Sequence, residues 1–287
     1  MSAAPRPSIA IVITSFGAPP PFWMPAFLHS AGRNSDVQWI VYADFDVARL
    51  PPNVAVQRMT LTEFSHRASA VFGTPIAIAR PRKICDIKIA YGAIFADDLR
   101  GFDFWGCSDL DIVWGDVRHF MTDRLLDEHD ILSSRRNRLS GHFTLFRNTP
   151  PITRAFDLIP DVAAAMADPH YLHLDEGELT HALKRRAASG AAGAPRVYWR
   201  EALTMDAAYQ AALGEGEEGR LWWRDGKTFD AHGRELMYLH FHKMKAQMRT
   251  IDFGAGDAPA AFAIDRRGMW ASAPAGPTRG APAGGRQ

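Results

Sequence analysis

Two short runs near the start of the chain are apolar at every position. Ile9–Thr14 reads IAIVIT and Trp39–Ala43 reads WIVYA. A strand with one wet face alternates apolar and polar side chains, whereas a strand covered on both faces is apolar throughout. Strands of the second kind belong to parallel sheets, because their crossover connections place helices on both faces. The two runs therefore predict an α/β fold.

The chain continues with segments that alternate between strand and helix character. Further strands are predicted at Asn53–Met59, Phe102–Cys107, Asp130–Ser133 and His142–Phe146, and helices at Thr62–Phe72, Lys83–Leu99, Val117–Glu128, Pro160–Met166 and Glu176–Arg186. Asp225-Gly226, between aromatic residues, predicts a hairpin. The alternation predicts a mostly parallel, doubly wound sheet with helices on both faces, in which ligands bind at the carboxyl ends of the strands.

The composition indicates one folded domain followed by a tail. The chain has 287 residues, of which 47% are hydrophobic and 23% charged, which is ordinary for a protein with a sizeable core. The formal net charge of +1 argues against nucleic acid as a partner. We predict a disordered N-terminus at 1–8, a single domain at 9–270, and a disordered tail at 271–287, where Ala, Gly and Pro dominate.

The sequence also bears on the compartment. The N-terminal segment lacks the apolar stretch of a signal peptide, and no run approaches the ~20 apolar residues that span a bilayer. The two cysteines, Cys85 and Cys107, are too few for a disulfide framework, and we interpret them as buried structural thiols. These features predict a cytoplasmic protein, for which peripheral association with a membrane stays open.

Asp109-Leu110-Asp111 directly follows one of the predicted strands. Two carboxylates at positions i and i+2 project to the same side, and such oxygen ligands hold Mg²⁺ or Mn²⁺ against substrate phosphates. A departing nucleoside diphosphate accumulates negative charge, which such an ion stabilises as a Lewis acid. The alternative is that the two aspartates only cap a turn or the next helix.

A second polar motif, His240-Phe241-His242, lies late in the chain and is followed by Lys243 and Lys245. Alternation along a strand places the two histidines on one face, where an imidazole can complete a carboxylate site for Mn²⁺. A lysine close by supplies positive charge for a diphosphate. The alternative is a half-exposed polar strand face with no ligand.

Together, the two motifs resemble the GT-A glycosyltransferases, in which a strand-end D-x-D is followed by a late His-Phe-x-x-x-Lys. The likeness extends to the glycogenin-like branch, whose closing signature is His-Phe-x-Gly-x-x-Lys. The segments KICDIKIAYGAIF, FDFWGCSDLDIVWGD, SGHFTLFRN, LDEGEL and YLHFHKMK are more similar to a bacterial family of polysaccharide glycosyltransferases. The resemblance spans roughly Ile9 to Lys245. It implies a GT-A (nucleotide-diphospho-sugar transferase) fold and transfer from a nucleotide-diphosphate-sugar, a UDP-sugar, to a saccharide or glycolipid acceptor.

The resemblance also implies roles for individual residues. Asp111 matches a direct ligand of Mn²⁺ or Mg²⁺, Asp109 a ligand or ribose contact, and His240 the third protein ligand. Lys245 matches the phosphate-binding lysine by spacing, with Lys243 as its rival. Lys243 also stands where the signature has glycine, so the geometry of the diphosphate loop departs from the family's.

On the donor side, the resemblance implies further contacts whose alternatives stay open. Asp44 ends the second predicted strand, where GT-A proteins contact the nucleotide, but it can equally cap a turn. Lys83, Asp86 and Lys88 begin the helix before the D-x-D, an element that touches the donor in related enzymes. Lys83 and Asp86 are also spaced as an i,i+3 surface salt bridge, which is the interpretation we favour.

On the acceptor side, Gly141-His142 lies where related enzymes grip a sugar, although a buried histidine with satisfied hydrogen bonds explains His142 equally well. Asp175-Glu176 matches an acidic pair that lines this side. One of the two is then the general base of an inverting enzyme or the group near the anomeric carbon of a retaining one. Asp175 as a helix N-cap is the alternative.

Two other functions are compatible with parts of the sequence. Asp109-Leu110-Asp111-Ile112-Val113 fits the D-x-D-x-[T/V] motif of haloacid-dehalogenase-type phosphatases, but about a hundred residues precede it and no later Gly-Asp-x-x-x-Asp-like segment follows. The second alternative function is that of a nucleotide-sugar-binding protein without catalytic activity. The sequence leaves open the sugar, the acceptor and the stereochemistry, and the glycogenin-like resemblance favours retention.

Overall fold

The computed structural model describes residues 5–205, 220–242, 244–249, 259–265 and 268–270. The described strands, in chain order, are β1 (Ile9–Ser15), β2 (Val37–Ala43), β3 (Val54–Arg58), β4 (Phe104–Ser108), β5 (Ile112–Trp114), β6 (Ile131–Ser133), β7 (Phe143–Arg147), β8 (Val197–Tyr198), β9 (Leu221–Arg224), β10 (Lys227–Phe229), β11 (Glu235–Leu236), β12 (Tyr238–His240), β13 (Ala261–Asp265) and β14 (Gly268–Trp270).

The described α-helices, in the same order, are α1 (Met24–Gly32), α2 (Leu61–Phe72), α3 (Ile84–Ile87), α4 (Tyr91–Ile94), α5 (Val117–Phe120), α6 (Asp123–Glu128), α7 (Pro150–Thr153), α8 (Val162–Ala167) and α9 (Thr180–Ala188). Turns of 3₁₀-helix lie at Pro81–Lys83, Lys88–Ala90, Ala155–Leu158 and Lys245–Arg249, and a π-helical turn at Asp175–Leu179.

The main sheet has seven strands in the order β3-β2-β1-β4-β7-β6-β8. The pairings β3–β2, β2–β1, β1–β4 and β6–β8 are parallel, whereas β7 pairs antiparallel with both β4 and β6. Of these seven strands, β7 alone therefore runs in the opposite direction. The mostly parallel sheet predicted from the sequence is confirmed.

Helices cover both faces of this sheet, as predicted. Along β1, Val12 packs into one core cluster with Phe64 of α2, while Ile11 packs into another with Phe27 of α1. Successive residues of a strand point to opposite faces, so the unbroken apolar sequence of β1 is what burial on both sides requires. Each such side chain contributes about 1.5–3 kcal/mol by leaving water.

Two predicted helices are shorter than their apolar period suggested. The segment Lys83–Leu99 is a chain of short turns rather than one helix. Val117–Glu128 is divided into α5 and α6, because the Thr122 side chain accepts from the N–H of Leu125 and so starts a new helix. A capping hydroxyl favours a helix start at its own position, and apolar spacing does not report it.

A second, antiparallel sheet has the order β11-β10-β9-β13-β14. Strands β9 and β10 form a hairpin around Asp225-Gly226, and both turn residues have positive φ, 47° and 83°. This is the backbone that an Asp-Gly type I′ turn provides, so the predicted hairpin is confirmed. In the sheet, Trp223 is fully buried, stacks on Phe262 and donates to the carbonyl of Trp114, so it serves packing.

Lys83 and Asp86 form an ion pair inside the protein, not on its surface. Their N–O distance is 3.1 Å, and both side chains are 0% exposed. Lys83 also donates to two carbonyl groups, and Asp86 accepts two backbone N–H groups, all from residues 165–174. The predicted surface salt bridge is therefore wrong. Within the described part of the chain, segment 165–174 packs over both side chains, and their predicted contact with a donor stays a prediction.

Because this pair is enclosed, we expect Lys83→Met to lower the free energy of unfolding by about 3–5 kcal/mol. The substitution leaves the charge of Asp86 buried without its cation. Arg100→Met is the matched control, since Arg100 and Asp97 are also spaced i,i+3 but their side chains are 80% and 92% exposed. That control should stay within about 1 kcal/mol of wild type. Urea unfolding measures both, and equal losses would contradict the buried pair.

The chain ends lie mostly outside the described residues. Residues 1–4 and the predicted tail at 271–287 are not described, so the domain boundaries stay predictions. Arg6, within the predicted disordered N-terminus, forms salt bridges with Asp36 and Asp123 at 3.1 and 3.2 Å. Among the described residues, no helix combines the length and the apolar character needed to cross a membrane.

Candidate active site

The acidic strand ends of the main sheet lie at one edge. Asp44 follows β2 and Asp109 follows β4, and both strands run parallel to β1, which lies between them. Both oxygens of Asp44 are 2.9 Å from the N–H of Gly17, in the loop after β1. Asp44 thus has the turn-capping contact that was its alternative role, and its predicted contact with a nucleotide stays a prediction.

The small sheet formed by β5 and β12 brings the late histidine motif to the D-x-D. His240 pairs with Ile112 in this antiparallel ladder, and the N–H of Phe241 donates to the carbonyl of Asp111. The Nε2 atom of His240 lies 3.8 Å from Asp109 Oδ2 and 3.6 Å from Asp111 Oδ1. The predicted convergence of the three residues is therefore present in the structure.

His242 belongs to the same cluster although it lies beyond the end of β12. Ligand atoms of Asp111, His240 and His242 all lie within 4.8 Å of one another. Lys245 Nζ is 3.1 Å from Asp111 Oδ2 and lies 5.0 Å from the centre of the Trp23 ring. Lys243, the predicted rival of Lys245, lies outside the described residues. We call Asp109, Asp111, His240 and His242 the ligand cluster.

Electrostatics favours the ionised form of Asp111 and the neutral form of His242. Burial alone would raise the pKa of Asp111, but hydrogen bonds and charge from His240 and Lys245 outweigh it and hold that pKa well below its usual range. Burial and the neighbouring His240 lower the pKa of His242. An ionised carboxylate beside a neutral imidazole is a donor set for a borderline divalent ion such as Mn²⁺.

Lys88 occupies the other side of the D-x-D. Its ammonium group donates to Asp109 Oδ1 and, at 2.8 Å, to the carbonyl of Gly141. Burial would lower the pKa of Lys88, but the charge of Asp109 outweighs it and raises that pKa well above its ordinary value. One oxygen of Asp109 is thus held by Lys88, while the other faces His240.

A cavity of about 290 Å³ opens beside the ligand cluster. Its charged and imidazole lining groups come from five parts of the chain and include Arg82, Lys88, Asp109, Arg135, Arg138, His142, His173, Asp175, Glu176, His240 and His242. Lys83 and Asp86, predicted to contact the donor, are absent from this lining. Asp44 is absent from it as well. The structure therefore brings the metal and acceptor candidates together with Lys88, and leaves the other predicted donor-side residues Asp44, Lys83 and Asp86 outside this lining.

Asp175 is the most deeply buried acid of this cavity, with 3% of its surface exposed. Burial raises its pKa to about 6, and nearby backbone N–H groups of Asp175 and Glu176 offset only part of that effect. Its Oδ1 atom has no hydrogen-bond partner among the described residues. It caps no helix by a side-chain hydrogen bond, and it lies in a π-helical turn, a feature common at functional sites. The N-cap interpretation therefore has no support.

Gly141 leaves the space that the carboxylate of Asp175 occupies. A Cβ atom built on Gly141 would collide with Asp175 Oδ2. A side chain at position 141 would thus displace Asp175 from the cavity wall. The predicted role of Gly141 in binding a sugar stays a prediction. Its closeness to Asp175 explains why a residue without a side chain occupies this position.

His142 is held by a chain of hydrogen bonds. Arg135 Nε can only donate, so His142 Nε2, at 3.3 Å, accepts. The proton of the neutral ring is then on Nδ1, which donates to the hydroxyl of Tyr238 at 2.5 Å, and Tyr238 in turn donates to Ser134 at 2.6 Å. Burial, with the charges of His240 and Arg135, lowers the pKa of His142 well below its ordinary value. His142 is thus a buried, satisfied histidine at the cavity wall.

Several residues that line the cavity were not predicted from the sequence. Arg135 and Arg138 lie in the turn between β6 and β7, at the carboxyl end of β6, where three arginines among four residues were an available signal. Cys85 is half-buried and lines the cavity, so the prediction of two buried thiols holds only for Cys107. Burial raises the pKa of both thiols, that of Cys107 to about 12.

The fold and the residues at the carboxyl edge of the main sheet define the class of this protein. It is an α/β protein with a carboxylate–imidazole cluster beside a charged cavity, at the carboxyl ends of parallel strands. Residues 11–270 match the family of unknown function DUF6625, and the chain belongs to that family. A comparison with curated proteins finds no match.

Three solved structures share a general likeness with the chain. Mouse xyloside xylosyltransferase 1 in its apo form is 10% identical, with a TM-score of 0.46 over 82% of this chain and 98% of that one. The galactosyltransferase LgtC, in complex with donor and acceptor sugar analogues, is 9% identical, with a TM-score of 0.47 over 84% and 90%. A glycosyltransferase involved in glycosylation of the major capsid of PBCV-1 is 7% identical, with a TM-score of 0.46 over 84% and 96%. Structural similarity at this level does not indicate which reaction a protein catalyses. We therefore infer the chemistry from the residues of the site.

Proposed function

We propose that the chain is a metal-dependent GT-A glycosyltransferase. It transfers a sugar from a nucleotide-diphosphate-sugar, a UDP-sugar, to a saccharide or glycolipid acceptor. The observation that carries the proposal is the ligand cluster, which adjoins a cavity containing a buried carboxylate of raised pKa. Divalent-ion ligands next to a candidate proton acceptor are what transfer from a diphosphate donor needs.

The ligand cluster fits Mn²⁺ or Mg²⁺ by the chemistry of its donor atoms. Asp111 and His240 would hold the ion, with Asp109 and His242 within reach as further ligands. Two histidines among the donors favour Mn²⁺ over Mg²⁺. When bound, the ion would act as a Lewis acid on the departing diphosphate.

The cations around the ligand cluster have complementary tasks. Lys245 lies against Asp111 with 42% of its side chain exposed, so it can turn to a phosphate oxygen when the donor binds. Lys88 is enclosed and holds Asp109 and the carbonyl of Gly141, so it orients the D-x-D instead of contacting the donor. Positive charge placed where the diphosphate gains negative charge lowers the barrier to its departure.

Asp175 is the group we assign to the acceptor. In transfer, the bond from the anomeric carbon to the diphosphate breaks, a bond to the acceptor oxygen forms, and the hydroxyl proton must leave. A carboxylate whose pKa is about 6 is mostly ionised at neutral pH and is a stronger base than an ordinary aspartate. Glu176 lies 3.8 Å from Arg138 and is more exposed, so we give it the lesser role of binding.

The two rival functions are separable from this one. A phosphatase of the haloacid-dehalogenase type carries its D-x-D after the first strand, whereas Asp109 follows β4, the fourth strand of this chain. A nucleotide-sugar-binding protein would bind donor without turnover. Chromatography of free UDP released from UDP-sugars, with and without Mn²⁺, tests the proposal. Release that requires Mn²⁺ supports a transferase, while no release despite binding identifies the binding protein.

The histidines give a sharper test of the metal assignment. We expect His240→Ala to weaken Mn²⁺ binding at least about tenfold, and His242→Ala to weaken it less, because His240 approaches both aspartates whereas His242 lies at the exposed rim. Calorimetric titration with Mn²⁺ and UDP measures both. A larger loss for His242→Ala would reverse the assignment, and unchanged binding in both variants would remove the histidines from it.

A further inference from the structure

The turn between β6 and β7 presents arginines to the cavity from a rigid frame. Arg135 and Arg138 form an isolated β-bridge across the turn, and Asn137 between them has φ of 64°. The N–H of Asn137 donates to the carbonyl of Trp199 at 2.9 Å, and Ser133 Oγ donates to the carbonyl of Arg138 at 2.7 Å. These bonds hold the turn backbone, so its arginine side chains start from fixed positions.

Arg135 is held a second time, through its side chain. Its Nε donates to His142, which the Tyr238–Ser134 pair keeps in one tautomer. Among the described residues, the other two guanidinium nitrogens have no hydrogen-bond partner, so they remain for a ligand in the cavity that Arg135 lines. A planar guanidinium with a fixed orientation suits bidentate recognition of a carboxylate or a phosphate.

The charges of this part of the cavity leave cations uncompensated. Among the described residues, no carboxylate lies within salt-bridge distance of Arg82 or Arg135, and Arg138 reaches Glu176 only at 3.8 Å. The guanidinium of Arg82 stacks on Tyr171, 5.0 Å from the ring centre. A cation that lines a concave surface without a protein partner favours an anionic ligand, and low-dielectric walls strengthen the effect.

The donor's diphosphate does not account for the positive charge of these arginines. In the proposed function, the diphosphate meets the ligand cluster and Lys245. Arg82 and Arg138 instead accompany Tyr171 and Glu176, beside Asp175, which we assigned to the acceptor. These arginines therefore lie where the second substrate enters.

We propose that the acceptor is an anionic saccharide, whose carboxylate or phosphate group is bound by Arg135 and Arg138, with Arg82 at the rim. The inference rests on the proposed function, because that function assigns this side of the cavity to the acceptor. It narrows the acceptor class from saccharides in general to those with an acidic sugar, such as a uronic acid or a sugar phosphate. The binding also places a hydroxyl of that sugar against Asp175.

The test uses simple saccharides as probes on the full chain. Methyl glucuronide and methyl galacturonide carry a carboxylate, glucose 6-phosphate carries a phosphate, and methyl glucoside and methyl galactoside are neutral. Ligand-observed NMR titrations are run with and without UDP and Mn²⁺. We expect an anionic probe to bind at least about tenfold more tightly than its neutral counterpart. The anion that binds distinguishes an acidic sugar from a sugar phosphate.

Three variants locate the effect. Arg138→Gln should remove most of the preference for the anionic probe, and Arg82→Gln, which leaves the β6–β7 turn intact, should remove a smaller part of it. Arg136→Gln is the matched control, since Arg136 is exposed in the same turn but does not line the cavity. Equal binding of neutral and anionic probes, or equal losses in all three variants, overturns the inference. Failure of UDP and Mn²⁺ to bind the wild type would refute the proposed function separately, because probe binding is measured without them too.

Discussion

We expect Asp111→Asn to lower the rate of the proposed transfer a few hundredfold while the chain stays folded. Asp111 is 5% exposed, and its carboxylate touches His240 on one side and Lys245 on the other. The substitution keeps the shape of the side chain and removes one negative charge from the ligand cluster. Loss of one group that stabilises charge in the transition state commonly costs about 3–4 kcal/mol, which corresponds to this rate.

The measurement is the steady-state rate of UDP release with saturating Mn²⁺, alongside Mn²⁺ affinity. Asp97→Asn is the control, because Asp97 is exposed and, within the described part of the chain, forms an ion pair with Arg100 alone. Stability should fall at neutral pH, because the lowered pKa of Asp111 means that His240 and Lys245 stabilise its ionised form in the folded chain; urea unfolding measures this loss separately from the rate. Wild-type activity in Asp111→Asn, or activity that survives EDTA, contradicts a mechanism that depends on the metal.

Asp175→Asn is expected to lower the rate by about 10²–10⁴-fold and to make the protein more stable at neutral pH. The first effect follows from the loss of a general base, the role that Asp175 would have in an inverting enzyme and not in the retaining one that the glycogenin-like resemblance favours. The second follows from burial, which raises the pKa of Asp175 from 3.8 to about 6 because the ionised form is costly inside the protein. An amide of nearly the same shape carries no charge and avoids most of that cost.

The gain in stability should depend on pH in a definite direction. Between pH 3.8 and about 6, folded Asp175 holds its proton while the unfolded residue has lost it. The folded state then binds more protons, so the free energy of unfolding falls as pH rises through this window and levels off above it. Asparagine does not titrate. The variant's advantage should therefore reach about 2–3 kcal/mol above pH 6 and shrink toward pH 4.

Urea unfolding of both proteins at pH 4.5 and 7.5 measures this difference. Glu176→Gln is the matched control, because Glu176 lies in the same turn, is more exposed and is near Arg138. It should show no comparable gain at pH 7.5. A destabilised but active Asp175→Asn protein would mean that Asp175 serves the fold and not the acceptor.

Much of the fold was predictable because its causes are local. A buried parallel strand is recognisable from a run that is apolar on both faces, and Asp225-Gly226 specifies its turn through the backbone that those residues tolerate. Strand-end placement of Asp109 and Asp111 is likewise local, since it follows from where β4 stops. The helix Lys83–Leu99 was predicted as one piece because apolar spacing does not distinguish a continuous helix from successive short turns.

The site itself needed contacts between distant parts of the chain. His240 reaches the D-x-D through the register of β12 against β5, and a shift by one residue would have turned its side chain to the other face. His242 joins the cluster from beyond that strand, where alternation no longer applies. Arg135 and Arg138 became candidates only once their turn proved to line the same cavity as Asp175.

Lys83 and Asp86 show most directly which properties follow from the sequence and which follow only from the tertiary structure. Their spacing determined that they would pair, because residues three apart on a helical turn are neighbours in any environment. Whether the pair faced water depended on residues 165–174, which pack over it from more than seventy positions away. The same distinction holds for Asp175, whose sequence context suits a helix cap and whose raised pKa comes from tertiary burial. Spacing along the chain specifies which side chains can meet, whereas desolvation depends on everything that packs around them, and so only the tertiary structure determines their charge and their access to a substrate.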